Sequence, residues 1–395
     1  MYSDIQNRSH PSIHKTINGP VDCNPSAVLH ASRSTDETSI ISYTRRISYI
    51  KKWSVPPAGS IHTLNRGTYV VHVCDDKSPR ASAWNSAFVV KGETWEPPPT
   101  NIKIHTVVSG HWAAFHSWFC NNYGHVLHDH ASTIAGMRVM LPPETNFLLV
   151  ETPLLRSILE IIDPEFTARR VKWLTKGEVV KVENGTLSIY INPGRHKPGR
   201  EQRFMNALRH WLPRSGDLKR HILIYCSRSG KYTHHGRMME EAHEADILAG
   251  IKRALVRYNR PEQILIYNGM DSDGNAMPIK SQRSLFREAS IIIGPHGSAM
   301  ANIIWAEEHN CSARPSVIEF ICGIRSSQVQ PAGCPWMRTY FYMYAGAPWI
   351  DYHHISFAAN STKDTTFINL NELDMALDAV LGRKMSEPRP IRMES

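Results

Sequence analysis

Residues 290–302 read SIIIGPHGSAMAN, and this stretch constrains the fold more than any other. Ser290–Ile293 form a short, mostly apolar run, the mark of a strand buried on both faces of a parallel sheet. Gly294, Pro295 and Gly297 break it, and the apolar residues Ser298–Trp305 predict a helix. A strand, a tight turn and a helix start leave unpaired N–H groups and a positive dipole end above the sheet. That is an anion site, suited to a phosphate. His296 stands inside the turn, within reach of a phosphate or a reacting oxygen.

The same alternation extends through the second half. Strands are expected at 221–226, 263–267, 291–293 and 316–320, with helices at 235–258, 279–289, 298–305 and 370–381. Strand and helix in turn predict an open, doubly wound α/β sheet whose ligands bind at the carboxyl ends of the strands. The first half alternates as well. Strands are read at 68–73, 87–90, 103–108, 147–150, 171–173 and 179–182, and helices at 123–141, 154–162 and 200–212. Pro213-Arg214-Ser215-Gly216 is the natural boundary. Three segments result: a poorly ordered lead-in at 1–60, an N-terminal domain at 61–213 and a C-terminal domain at 214–385.

Composition is that of a globular protein, with 42% hydrophobic and 21% charged residues. The net charge of +9 is dispersed, without a run of five basic residues, so nucleic acid is not an expected partner. Seven cysteines, an odd number with no CxxC pair, argue against a zinc knuckle and against complete internal pairing. Sequons at Asn7, Asn184, Asn310 and Asn360 are compatible with a secretory location. No apolar run is long enough to span a bilayer, and the N-terminus lacks the apolar core of a signal peptide.

Several residues carry chemistry. Arg228 follows the strand ILIYC, and Lys231 and Arg237 lie in the loop after it; guanidinium forks and an ammonium charge suit phosphate oxygens. Glu319, read as the end of strand SVIEF, is placed to accept ribose hydroxyls. In NNYGHVLHDHAS, a helix from His125 puts His125, His128 and Asp129 on one face, as a metal site or as a general base with its orienting partner. Asp271-Ser272-Asp273 is a DxD able to hold a divalent cation, in an Asn/Asp/Gly turn that also forms for backbone reasons alone.

YGHVLHD at 123–129, RSGKYTHHGRMMEE at 228–241, Gln282 and GPHGSAMAN followed by Glu319 occur in an order that resembles family 61 glycosyltransferases over residues 65–325. The resemblance implies an α/β, GT-B-like fold of two Rossmann-like domains facing a cleft. It also implies an inverting mechanism, a nucleotide-sugar donor (usually a UDP-sugar), a glycan or glycoprotein acceptor and a place in the Golgi or ER lumen. Carried over, Arg228 and Arg237 serve the diphosphate, His296, Gly297 and Asn302 form the HG…N motif with Ser298, and Glu319 is the strand acid. Tyr123, Gly124, His125 and Asp129 are the acceptor-side motif, with Asp129 or His125 as base. Glu240 stands where the family has Asn, and Ala299 where it usually has Gly.

Cationic side chains can replace a metal on the diphosphate, so no cofactor is expected to be required, although a divalent metal is compatible with the DxD. Two other classes fit the residues. One is a metal-dependent hydrolase built on His125, His128, Asp129 and His130; the other is a non-catalytic nucleotide-sugar binder with altered motifs.

Overall fold

The computed structural model describes residues 104–115, 122–175, 178–190, 200–213, 221–229, 239–307, 314–322, 344, 347, 349–357 and 367–382, and the backbone of strands at 53–54, 61–72, 90–91 and 94–95. Most of the 1–60 lead-in and residues 214–216 of the expected boundary lie outside them.

The chain begins with β1 (Trp53–Ser54), β2 (Ile61–His72), β3 (Val90–Lys91) and β4 (Thr94–Trp95). β5 (Thr106–Val108), β6 (His111–Phe115), β7 (Asn146–Val150), β8 (Val171–Leu174) and β9 (Val179–Tyr190) follow. β1, β4 and β3 form a small antiparallel sheet, and β2-β9-β6-β7-β8 a larger one with β5 beside β9. Within the larger sheet only β2 and β9 pair antiparallel.

Helices cover one side of that sheet. α1 (Tyr123–His125) passes through a π-helical turn, Val126–Ala131, into α2 (Ser132–Met140). α3 (Pro153–Ile162) and α4 (Pro164–Arg170) each start on proline, which needs no donor there, behind the caps Thr152 and Asp163. Asp163 also accepts from Arg138 and from the indole N–H of Trp211, the last residue of α5 (Arg200–Trp211). One carboxylate thus ties α2, α4 and α5 together.

The second half is a parallel sheet of β10 (Ile222–Cys226), β11 (Gln263–Tyr267), β12 (Ala289–Pro295), β13 (Ser316–Cys322) and β14 (Asp351–Phe357), in the order β11-β10-β12-β13-β14. Its helices are α6 (Glu241–Arg257), α7 (Ile279–Arg287), a 3-10 helix at Ser298–Trp305 and α8 (Leu370–Leu381). Side chains alternate across the sheet, as strand geometry requires. Leu223, Tyr225, Ile291, Ile293, Ile318 and Phe320 pack on α6 and α8. Ile224, Cys226, Ile292 and Val317 face the other way, into a core that runs on without a break to Phe115, Leu127, Ile134 and Leu149 of the first half. The two sheets therefore share one apolar interior, which holds Met300–Trp305 of the 3-10 helix and Phe286 of α7. Among the described residues no helix is long and apolar enough to cross a membrane.

Three expectations change. The apolar run at 290–293 belongs to a longer strand that absorbs Gly294 and Pro295, so the turn begins at His296. The helix after it is 3-10, with Met300–Trp305 all buried. β13 continues through Cys322, so Glu319 lies inside the strand, paired with Gly294 and His354, and not at its end.

Candidate active site

From β10 the chain crosses to β11 on one side, then returns past β10 to β12 on the other. At such a reversal the connections diverge from the carboxyl ends of two neighbouring strands and leave a crevice, where sheets of this type hold ligands. Here the crevice lies between the residues after Cys226 and those after Pro295. Gly294 lets the strands meet: a methyl group there would lie 2.7 Å from the Cβ of Cys226. Burial pushes the Cys226 thiol far above its ordinary value, so it is packing and not a nucleophile.

Arg228 extends from the β10 end across to the β12 end. A methyl group on Gly297 would sit 1.7 Å from Arg228 Nη2, so only glycine lets the guanidinium lie there. The sequence placed both residues near phosphate; the structure brings them into contact. Beside them, His296 Nδ1–H donates to Glu319 Oε1 at 2.6 Å, and its backbone N–H donates to Phe320 O at 2.9 Å. Glu319 is 0% exposed, and its second oxygen accepts from Tyr352 Oη. The carboxylate expected at a ribose instead lies beneath His296 and fixes the ring. Ser298 is exposed at the start of the 3-10 helix, above the turn.

The helical segment at 123–140 comes against the 3-10 helix at this end of the sheet. Asn122 caps it by accepting from His125 N–H, and Ser298 Oγ lies 3.5 Å from the same Asn122 oxygen. His125 Nδ1–H donates to Asp129 Oδ2 at 2.7 Å, and both side chains are about one-third exposed, at 33% and 30%. The expected contact between His125 and Asp129 is thus present, and both side chains are partly exposed. His128 departs from it. The π-helical register turns this side chain inward, to 3% exposure, where Nε2 pairs with Tyr344 Oη at 2.6 Å. Burial, and then the charges of His125 and His296, hold its pKa down at about 3.

A buried hydrogen-bond chain joins the two helical segments. Trp305 Nε1–H donates to Tyr123 Oη at 2.8 Å, and Tyr123 O–H donates to Asn302 Oδ1 at 2.6 Å. Asn302 Nδ2 donates to Gln282 Oε1 at 3.0 Å and to Ala299 O at 3.1 Å. Tyr267 O–H also donates to Gln282 Oε1, at 2.7 Å, and Gln282 Nε2 donates to Met277 O at 2.8 Å. Every donor points the same way along the chain, so each bond polarises the next. Burial pushes the Tyr123 hydroxyl far above its ordinary pKa, so it stays protonated as a donor. Tyr123, read from sequence as acceptor-side, is here the pin between the 123–140 helix and the 3-10 helix. Tyr123→Phe strands the Trp305 donor and the Asn302 acceptor, at about 1–3 kcal/mol for each group left unpaired. Thermal unfolding should show that loss; a variant as stable as the parent would mean the chain bears no load.

Gly124 is buried in α1. Asn302 is 0% exposed and supports the turn from below. Lys231 and Arg237 lie outside the described residues. Asp271 Oδ1 accepts from the N–H groups of Asp273 and Asn275, so the DxD is built as a turn. Among the described residues no three His, Cys, Asp or Glu side chains are placed to hold a metal ion. The four residues of the hydrolase reading have separate partners: His125 pairs with Asp129, His128 with Tyr344, and His130 packs edge-on to Phe115. Tyr267, Trp305, Tyr344 and Tyr352 were not singled out from sequence. Their partners lie far away along the chain, and no local pattern marks them.

Residues 123–313 match the family Glycosyltransferase 61. No curated protein matches the chain. The matched span opens on Tyr123 and takes in both His–Asp and Arg–Gly pairings, so the convergence of its motifs on one crevice and the family match concern the same residues. Over residues 123–313 this chain is thus similar to glycosyltransferase family 61.

Proposed function

We propose that this chain is an inverting glycosyltransferase of GT-B organisation, moving a sugar from a nucleotide-sugar, in the first instance a UDP-sugar, to a hydroxyl of a glycan or protein. Residues 61–213 form the acceptor side and 214–385 the donor side. The observation that carries the reading is the Arg228 guanidinium laid against Gly297, beside His296, at the reversal point of a parallel sheet.

The donor's diphosphate rests on the 296–298 turn and the start of the 3-10 helix, under Arg228. Lys231 and Arg237 join it, as the family resemblance implies. The acceptor hydroxyl meets the His125–Asp129 pair, which takes its proton, whether at Asp129 or at His125 Nε2. Its oxygen bonds to the anomeric carbon on the face opposite the phosphate. The bond from that carbon to the phosphate oxygen breaks, and the nucleoside diphosphate leaves with the electron pair. Arg228 stabilises the negative charge that grows there. Glu319 holds His296 in place for the same phosphate. A guanidinium fork and an ammonium can neutralise a diphosphate, so the reaction requires no metal. The compartment is the lumen of the secretory pathway.

Slow hydrolysis of nucleotide-sugars tests the reading without knowledge of the acceptor. A panel of UDP-, GDP- and other activated sugars should give release of free sugar from one donor, unchanged by a chelator. No turnover of any donor, with no acceptor-dependent transfer, would refute it.

A further inference from the structure

Glu244 lies in the first turn of α6, sixteen residues beyond Arg228, and is 7% exposed. The sequence gives it no role, yet its carboxylate gathers Ser227, Arg228 and Ser229, the first residues after β10. Oε2 accepts from Ser227 Oγ at 3.0 Å and from Ser229 Oγ, and Oε1 accepts from the backbone N–H of Arg228 at 3.3 Å. The carbonyl of Arg228 accepts in turn from Met239 N–H at 3.2 Å, two residues before α6 begins. Both polar groups of the Arg228 peptide backbone are therefore held by one short stretch of chain. A buried carboxylate is costly unless its lone pairs are satisfied. Here three donors from three consecutive residues satisfy it. The Glu244 charge also helps to raise the Tyr225 hydroxyl above its ordinary pKa, after burial.

We propose that Glu244 is a positioning residue of the donor site: it fixes the backbone at Arg228, so that the guanidinium stands over Gly297 in the place where a diphosphate is gripped. The proposal rests on the reading of Arg228 as the phosphate-binding residue. Its chemical demand is specific. As arranged, the site presents a donor to each oxygen: the Arg228 N–H, which can only donate, to Oε1 and two serine hydroxyls to Oε2. Glutamine offers one oxygen and turns an NH2 group toward a donor; alanine offers neither.

The test is calorimetric binding of UDP and UMP to the full chain and to Glu244→Gln, Arg228→Ala and the double variant. In Glu244→Gln, UDP affinity should fall roughly tenfold or more while UMP affinity changes little, because only the β-phosphate depends on the loop. In the Arg228→Ala background the same substitution should have no further effect, the coupling expected of residues that act through one another. A general loss of structure would weaken UMP and UDP alike and would add to the Arg228→Ala effect. Ser227→Ala with Ser229→Ala, which removes two of the three donors and leaves the carboxylate intact, should weaken UDP in the same selective way and covers the case in which a Glu244 variant fails to fold. UDP bound at full strength by Glu244→Gln, with binding lost in Arg228→Ala, would overturn this assignment alone. No UDP binding by the unaltered protein would overturn the reading beneath it and this assignment with it.

Discussion

Replacing Arg228 with alanine should cut transfer by roughly 100- to 1,000-fold, the range seen when one preorganised donor to a developing negative charge is removed. The effect should fall on the chemical step as well as on donor binding. In the ground state the bridging oxygen shares its bonding pair with the anomeric carbon; in the transition state that pair, and with it negative charge, moves onto the leaving oxygen. The fold should survive. Arg228 is partly exposed, and its side chain lies on Gly297 instead of filling the core. Far-ultraviolet circular dichroism and the melting temperature should match the parent within a few degrees. The same contact gives an internal check, because Gly297→Ala places a methyl group where the guanidinium now lies. It should reproduce the loss with Arg228 still present. Normal turnover in Arg228→Ala would refute the donor assignment.

Asp129→Asn should lower turnover by about 100- to 10,000-fold, the usual worth of a positioned proton acceptor, and leave nucleotide affinity unchanged. Two routes lead to the same loss. If Asp129 is the base, the amide cannot take the proton. If His125 is the base, the amide donates to Nδ1 and forces the tautomer that carries its proton on Nε2, where the acceptor hydroxyl must be received. The side chain changes little in volume and is about one-third exposed, at 30%, so the fold has no reason to respond. Donor affinity separates the donor and acceptor roles. A fall in UDP binding in Asp129→Asn would mean that the 123–140 helix reads the nucleotide and not the acceptor.

Local pattern carried much of this. Apolar runs bounded by glycine and proline placed β10, β11 and β12 within one or two residues, and α8 at Leu370–Leu381 without error. The pairing of His125 with Asp129 follows from helical spacing alone. Other features have no local signature. β6, HWAAF, and β14, DYHHISF, carry too many polar or small residues to read as strands, and their burial comes from neighbours remote in sequence. Glu319 was read as a strand end because charge usually marks one; its partners His296 and Tyr352, on other segments, allow it to lie inside. The π-helical turn that sends His128 inward follows no compositional rule. Gly297 was legible as a turn residue, but the guanidinium that demands it comes from a different strand end.

One determination bears most directly on the donor site: the solved structure of the full chain with UDP bound. The β-phosphate should lie within hydrogen-bonding distance of the Arg228 guanidinium and of the turn at 296–298, with the side that would carry the sugar facing His125 and Asp129. A nucleotide seated elsewhere, with Arg228 still resting on Gly297 and touching no phosphate, would contradict it.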